Sequence, residues 1–167
     1  VAASYVDFAT DATPEDVMRI AEESGLRAVP TGIDHGTVTI VIDGTPFEVT
    51  TFRRDVATDG RRAVVAFSTS IDADARRRDF TMNALYADRH GWVHDPVAGL
   101  ADAQARRVRF IDDPVQRIRE DYLRILRFFR LSAWYADPGH GWDADALAAI
   151  ADTLDGLSTL SAERVGA

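Results

Sequence analysis

The stretch TVTIVIDGTPFEVTTF, residues 37–52, constrains the fold of this chain more than any other. Apolar and polar side chains alternate with period two on both sides of Asp43-Gly44, a dipeptide suited to the positive φ values of a two-residue turn, so a β-hairpin is predicted. In its second strand Phe47, Val49 and Thr51 fall on one face, and Glu48, Thr50 and Phe52 on the other. Ahead of it, LRAVP reads as a strand, and so does the end of the run Val1–Phe8. Between them, TPEDVMRIAEESG carries a full set of helix signals. Thr13 can cap, Pro14 fits the first turn, Glu15 and Asp16 suit the positive end, and Gly25 stops it.

The rest of the chain changes character. Arg53–Ser70 reads as a polar loop holding the apolar piece AVVAF, and Ile71–Asn83 as helical turns. ALYAD and WVHDP are expected as short strands around His90-Gly91, GLADAQAR as a short helix and RVRFI as a strand or edge. Asp113-Pro114 opens the longest predicted helix, Val115–Tyr135, with Ile118, Tyr122, Ile125, Leu126 and Phe129 at helical spacing. WDADALAAIADTL is another helix, and Ser161 begins a third. The plan is α+β: a small mixed or antiparallel sheet with flanking helices, followed by an all-helical part from about residue 113.

Charge and composition limit the chemistry. There is no cysteine among the 167 residues, which removes disulfides, thiolate zinc sites and thiol nucleophiles; a metal would take oxygen ligands, as magnesium, manganese or calcium do. No apolar run approaches a membrane span and no signal peptide is recognisable, so a soluble, cytoplasmic protein without a membrane partner is the expectation. The net charge is −8, but residues 53–130 hold sixteen arginines against twelve acids, and lysine is absent. Genome composition is the plainer reading of that choice; the other is that arginine is the better fork for phosphates and base edges.

Four places could carry function. Asp7 and Glu48 are acids on two strand candidates, where neighbouring strands can bring carboxylates together for a metal, although acids on strands are commonly just solvated. His35-Gly36-Thr37 offers either close approach of a ligand or an ordinary turn. In RRRDFTMNALYAD, residues 76–88, guanidinium groups run directly into an apolar segment; Phe80, Met82 and Leu85 are expected to anchor it. In REDYLRILRFFR, residues 119–130, Asp121, Arg124 and Arg127 stand at i, i+3 and i+6, and Arg130 continues the row. That row is either a salt-bridge ladder on an exposed face or a recognition edge. In the second reading the aspartate accepts from an exocyclic amine and an arginine donates to the ring acceptor beside it, as cytosine and adenine require.

Taken in order along the chain, these stretches resemble the class II tRNA nucleotidyltransferase and bacterial poly(A) polymerase family. VDFATDATPEDV is similar to the strand, turn and helix after that family's metal motif, HGTVTIVIDGTPFEVTTFR to its central hairpin, and RRRDFTMNALYAD to its ribose and phosphate motif. GWVHDPVAGLADAQARRVRFI is similar to the motif joining head and neck, REDYLRILRFFR to the base-selecting motif, and LSTLSAERV to the start of the neck motif. The resemblance implies a nucleotidyltransferase head over residues 1–112 and the start of a helical neck over 113–167. It implies template-independent addition of C and A from CTP and ATP to the 3′ end of tRNA, with poly(A) synthesis or a non-catalytic nucleotide- or RNA-binding derivative as alternatives.

By that resemblance Asp7 is a metal-binding carboxylate, Glu48 a third and weaker one, and two Mg2+ ions are the expected cofactor. Arg78 is implied at the nucleotide phosphates, Asp79 at the ribose and local turn, Asp121 and Arg124 at the base edge, and Arg127 and Arg130 at the nucleotide and neck. Two departures stand out. The family's metal motif is Asp-x-Asp, and Tyr5 stands here at the first position. The family's Gly-Gly-x-Val-Arg-Asp loop is not in the sequence, which also stops within the neck, so an incomplete, poorly active copy is expected.

Overall fold

The computed structural model describes residues 6–58 and 63–166. Contacts sort the chain into two compact units, Val1–Val56 with Val65–Asp74, and Ala57–Val64 with Ala75–Ala167.

In the first unit, strands β1 (Phe8–Thr10), β2 (Arg27–Gly32), β3 (Thr37–Ile42) and β4 (Thr45–Thr51) form one mixed sheet in the order β1-β4-β3-β2. The predicted hairpin is β3 and β4, antiparallel from Thr37↔Thr50 to Ile42↔Thr45. Asp43 and Gly44 have φ of 50° and 78°, the left-handed values that a tight hairpin turn demands. Strand β1 pairs parallel with β4, Phe8↔Val49. It begins where the strand-like run was expected to end. Helix α1 (Pro14–Glu23) starts as its signals predict, with the Thr13 hydroxyl accepting from Asp16 N–H at 3.2 Å, and buries Val17 and Ala21 against the sheet.

Two expectations for residues 53–83 change. Arg53–Ser70 is not a loop: β5 (Arg53–Thr58) and β6 (Ala63–Phe67) pair as a two-stranded sheet. Segment Ile71–Asn83 is helical only at its ends, in α2 (Ile71–Arg76) and a single 3-10 turn at Thr81–Asn83. Between them the chain is extended enough for Phe80 to make an antiparallel bridge with Phe110, through Thr81 N–H to Arg109 O and Ile111 N–H to Asp79 O, both at 3.0 Å. That bridge is all that forms of the strand expected in RVRFI.

In the second unit, β7 (Tyr86–Ala87) and β8 (Val93–His94) make the small hairpin expected around His90-Gly91, and α3 (Gly99–Gln104) follows. The predicted long helix is two: α4 (Pro114–Glu120), capped by Asp113 onto Gln116 N–H at 2.7 Å, and α5 (Leu123–Tyr135). Asp121 between them is extended, φ −159° and ψ 108°; its amide closes α4 on Ile118 O, and Arg124 N–H to Asp121 O and Ile125 N–H to Tyr122 O begin the next turn. Continuous 3.6-residue spacing of the apolar residues hid this break, because both helices use the same core face. Helices α6 (Ala144–Asp152, capped by Asp143) and α7 (Ala162–Val165, capped by Ser161) complete the unit.

The core of this unit joins Phe80, Val108 and Phe110 to Ile118, Ile125, Phe128 and Ile150. Phe110 and Phe128 stack with centroids 5.7 Å apart, and Phe80 lies 4.8 Å from Phe110. Phe80 is the anchor expected after the arginine run, fully buried; Met82 packs against the same core, and Leu85 is half-buried.

Two carboxylates inside the unit carry its polar structure. Asp102, wholly buried, accepts from the Thr81 hydroxyl at 2.7 Å, from Arg107 and from Arg109 Nε at 2.8 Å. Beside it Gly99 lies so close to Thr81 that a Cβ would stand 2.0 Å from the Thr81 carbonyl oxygen. Glu120 lies between Arg117, with which it pairs closely, and Arg124, at 2.6 Å; their side chains are 10%, 10% and 14% exposed.

Replacing Glu120 by alanine removes the buried carboxylate that Arg117 and Arg124 share, and should lower unfolding free energy by about 3 kcal/mol in urea denaturation. For Asp102, burial pushes the carboxyl upward, but the bonds from Thr81, Arg107 and Arg109 and the Arg109 charge together hold it below its ordinary 3.8. The unfolded chain therefore takes up this proton first, so the stabilisation is complete above pH 3.8 and lost as pH falls through the folded value. Asp102→Asn should cost about 2 kcal/mol at neutral pH and should flatten this part of the acid denaturation curve.

Candidate functional site

The most developed polar site lies in the second unit, where RRRDF meets REDYLRILRFFR. Backbone carbonyls of the arginine run are held by arginines of α4 and α5: Arg117 Nη1 donates to Arg76 O at 2.7 Å, and Arg124 Nη2 to Arg77 O at 3.1 Å. Arg124 Nη1 also donates to Arg117 O at 2.9 Å and to Glu120. Three of its five N–H groups are thus committed, leaving Nε–H and one Nη2 hydrogen uncommitted among the described residues.

Arg78 reaches Asn83 O at 3.2 Å and lies over the Tyr86 ring, 5.1 Å from its centroid. Arg76 faces outward in an exposed pair with Asp112 at 3.1 Å. Asp79 is buried and nearly saturated: Oδ1 accepts from Phe80 N–H at 2.9 Å and Asn83 Nδ2 at 3.1 Å, and Oδ2 from Arg127 Nε at 2.6 Å. It holds the local turn and ties the run to α5. Arg127 keeps its other four N–H groups uncommitted among the described residues, and Arg130 is exposed with no ion-pair or hydrogen-bond partner among them.

Asp121 does not share a helical row with Arg124 and Arg127, since it forms the break between α4 and α5. Its Oδ1 accepts from Leu123 N–H at 3.1 Å and from Arg164 Nη2 at 3.0 Å, and its Oδ2 from the same nitrogen at 2.9 Å. A carboxylate offers about four acceptor positions, so Oδ2 keeps one. Neither Arg164 as its partner nor Glu120 as the partner of Arg124 was legible in sequence, because both pairings depend on where the chain turns. Neither a plain ladder nor a row of surplus cations describes the site.

The first unit carries the other two predicted acids on its sheet. Asp7 and Glu48 are exposed, and continuing the β1–β4 register one residue back from Phe8↔Val49 brings Asp7 abreast of Glu48 on the same face of the sheet. That face also carries Thr37, Thr39 and Thr50, with Thr37 and Thr50 hydroxyls 3.1 Å apart. Among the described residues no group of three or more His, Cys, Asp or Glu gathers as a metal cage. Tyr5 lies outside the described residues. Gly36 has φ of 82° and a Cβ there would stand 3.0 Å from the Phe67 ring, so packing and a turn explain His35-Gly36-Thr37.

Against this geometry the comparisons with known proteins are informative. Residues 2–109 match the family described as the poly A polymerase head domain. The chain is 44% identical over 161 residues to mouse mitochondrial CCA tRNA nucleotidyltransferase 1, covering 96% of this chain and 37% of that protein. It is 40% identical over 162 residues to the CCA-adding enzyme of Streptococcus gordonii, covering 96% and 39% respectively. Its structure is similar to that of the Bacillus stearothermophilus CCA-adding enzyme in complex with CTP, with a TM-score of 0.83 and 36% identity over 97% of this chain and 38% of that one. The α+β architecture, the small mixed sheet and the family match agree, although the chain spans little more than a third of these relatives' length. The chain belongs to the poly A polymerase head domain family.

Proposed function

We propose that this chain is the nucleotide-handling part of a template-independent RNA nucleotidyltransferase, which adds C and A from CTP and ATP to the 3′ end of tRNA. In this reading residues 1–112 are its head and the helices from 113 the start of its neck. The observation that carries the reading is the pairing of one open acceptor on Asp121 with open donors on Arg124. Cytosine and adenine both present an amine donor beside a ring-nitrogen acceptor, whereas uracil and guanine present a carbonyl oxygen where the carboxylate stands. The likeness to CCA-adding enzymes, one of them a CTP complex, supports the same substrates.

Each residue then has a task. Asp121 accepts the exocyclic amine and Arg124 donates to the neighbouring ring nitrogen. Arg78, and the open N–H groups of Arg127 and Arg130, supply positive charge to the nucleotide's phosphates and ribose. Asp79 sets the direction of Arg127 and of the turn through Asn83. In the reaction an RNA 3′-hydroxyl oxygen bonds to the α-phosphorus, the α–β bridging bond breaks, pyrophosphate leaves, and the hydroxyl proton passes to solvent.

Mg2+ is the metal proposed, with Asp7 as its main ligand and Glu48 as a further one. Two hard oxygen donors side by side suit it, because magnesium commonly takes one or two carboxylates and fills its octahedron with phosphate oxygens and water. When bound it would neutralise phosphate charge and stabilise attacking and leaving oxygens.

In the full-length protein, Asp121→Ala should lower the preference for CTP and ATP over UTP and GTP about tenfold, measured as a ratio of kcat/KM in incorporation assays. An unchanged ratio would rule out the base-edge role. Asp7→Asn should reduce incorporation on the order of a hundredfold while leaving metal-free nucleotide binding in place. Supplying ATP alone separates the readings within the family: CCA addition stops at one residue on a tRNA ending in CC, and poly(A) synthesis continues.

A further inference from the structure

The carboxylate proposed to choose the base is not free to turn, and what fixes it lies more than forty residues further on. A single nitrogen of Arg164, on α7, touches both oxygens of Asp121, at 3.0 and 2.9 Å, while Leu123 N–H adds a third bond to Oδ1. The neighbouring residue is held from the same stretch of chain. Gly156, buried in the 3-10 segment Leu154–Thr159, receives the Tyr122 ring so closely that a Cβ would stand 1.9 Å from ring carbon Cε1. Two independent contacts from residues 154–164 therefore fix both residues at the break between α4 and α5.

Asp121 needs such support. It is extended between two helices, so no helical ladder sets its χ angles, and its side chain is 28% exposed, which leaves it rotational freedom if unbonded. With Arg164 in place, both Oδ1 positions are filled and one Oδ2 position remains open among the described residues. With Arg164 absent, the carboxylate can rotate and accept water or a donor at either oxygen.

We propose that Arg164 is a positioning residue for nucleotide selection: it orients Asp121 so that a single acceptor meets the base, and Gly156 sets the height of that turn by admitting Tyr122. This rests on the base-edge reading of Asp121. It adds that selectivity is built partly by the helical segment after residue 153, a segment that itself touches no base. Because one nitrogen bridges both oxygens, the contact uses Arg164 as a point charge and not as a fork, and a lysine ammonium can substitute for it.

The test uses the full-length protein with Arg164→Gln, Arg164→Lys, Asp121→Ala and the Asp121→Ala/Arg164→Gln double variant. The ratio of kcat/KM for CTP over UTP is read for each, beside thermal unfolding. Arg164→Gln keeps the stem of the side chain and should lower the ratio about tenfold, chiefly through UTP gaining ground. Arg164→Lys should restore most of it, and the double variant should be no less selective than Asp121→Ala alone, as expected for residues acting through one group. A ratio unchanged by Arg164→Gln but lowered by Asp121→Ala overturns the positioning role and leaves the base-edge reading standing. A ratio unchanged in both removes the base-edge reading, and this inference with it. A rise in kcat/KM for CTP in Arg164→Gln would make Arg164 a plug on Asp121 and would equally overturn it.

Discussion

The site depends on one buried arrangement, Arg117–Glu120–Arg124, with its two guanidiniums spread over the carbonyls of Arg76 and Arg77. Glu120 gives negative charge to both guanidiniums, and each of the two carbonyls accepts a charge-assisted bond from one of them. This is why the arginine run can abut a core element. The buried guanidiniums belong to the partner helices, while Arg76 faces out toward Asp112, and the run contributes its backbone to the interior. Phe80, two residues past Arg78, then enters a core shared with Phe110 and Phe128, so backbone and side chain are fixed from the same direction.

The geometry of Asp121 follows from that arrangement. Arg124 donates to Arg117 O and to Glu120, clamping the last turn of α4 to the first of α5 across the break. A continuous helix would place residue 121 one turn below Arg124 on the same face, committed to an i, i+3 contact. Interrupting the helix frees Asp121 from that partner and hands it to Arg164. The break costs intrahelical bonds, and the carboxylate returns one by accepting from Leu123 N–H. The two residues, in different backbone states, are thereby held by different partners, Asp121 by Arg164 and Arg124 by Glu120.

Much of the fold was legible because its determinants are local. Asp43-Gly44, the Thr13-Pro14 and Asp113-Pro114 starts, the alternation in β3 and β4 and the helix start at Ser161 each act within a few residues, and each forms as predicted. What was not legible is non-local or cancels in periodicity. Strand β5, RRDVAT, has no strict alternation, and the apolar run AVVAF that becomes β6 is too short for periodicity to assign by itself. The break at Asp121 preserves the spacing of Ile118, Ile125 and Phe128, so a hydrophobic count passes straight over it. Gly99 and Gly156 read as ordinary small residues, yet a methyl group at either would overlap Thr81 or Tyr122. Of the site, the identities of the residues in both motifs were visible, and their partners were not.

Charge shows the same division between composition and arrangement. The central region holds the chain's excess of arginine, which by count alone suggests a broad basic surface for RNA. In the structure Arg107 and Arg109 converge on buried Asp102, Arg117 and Arg124 on Glu120, and Arg76 on Asp112. Arg164, from the acidic end of the chain, is committed to Asp121. Most of these cations therefore organise the fold and add little long-range attraction, consistent with a net charge of −8. The open donors of Arg124 and Arg127, with exposed Arg130, are few and grouped along α5. In the proposed function an anion there would be selected by the direction of a handful of N–H bonds more than by the field of the whole molecule, so small rotations of Arg124, Arg127 or Asp121 would matter more than a change in total charge.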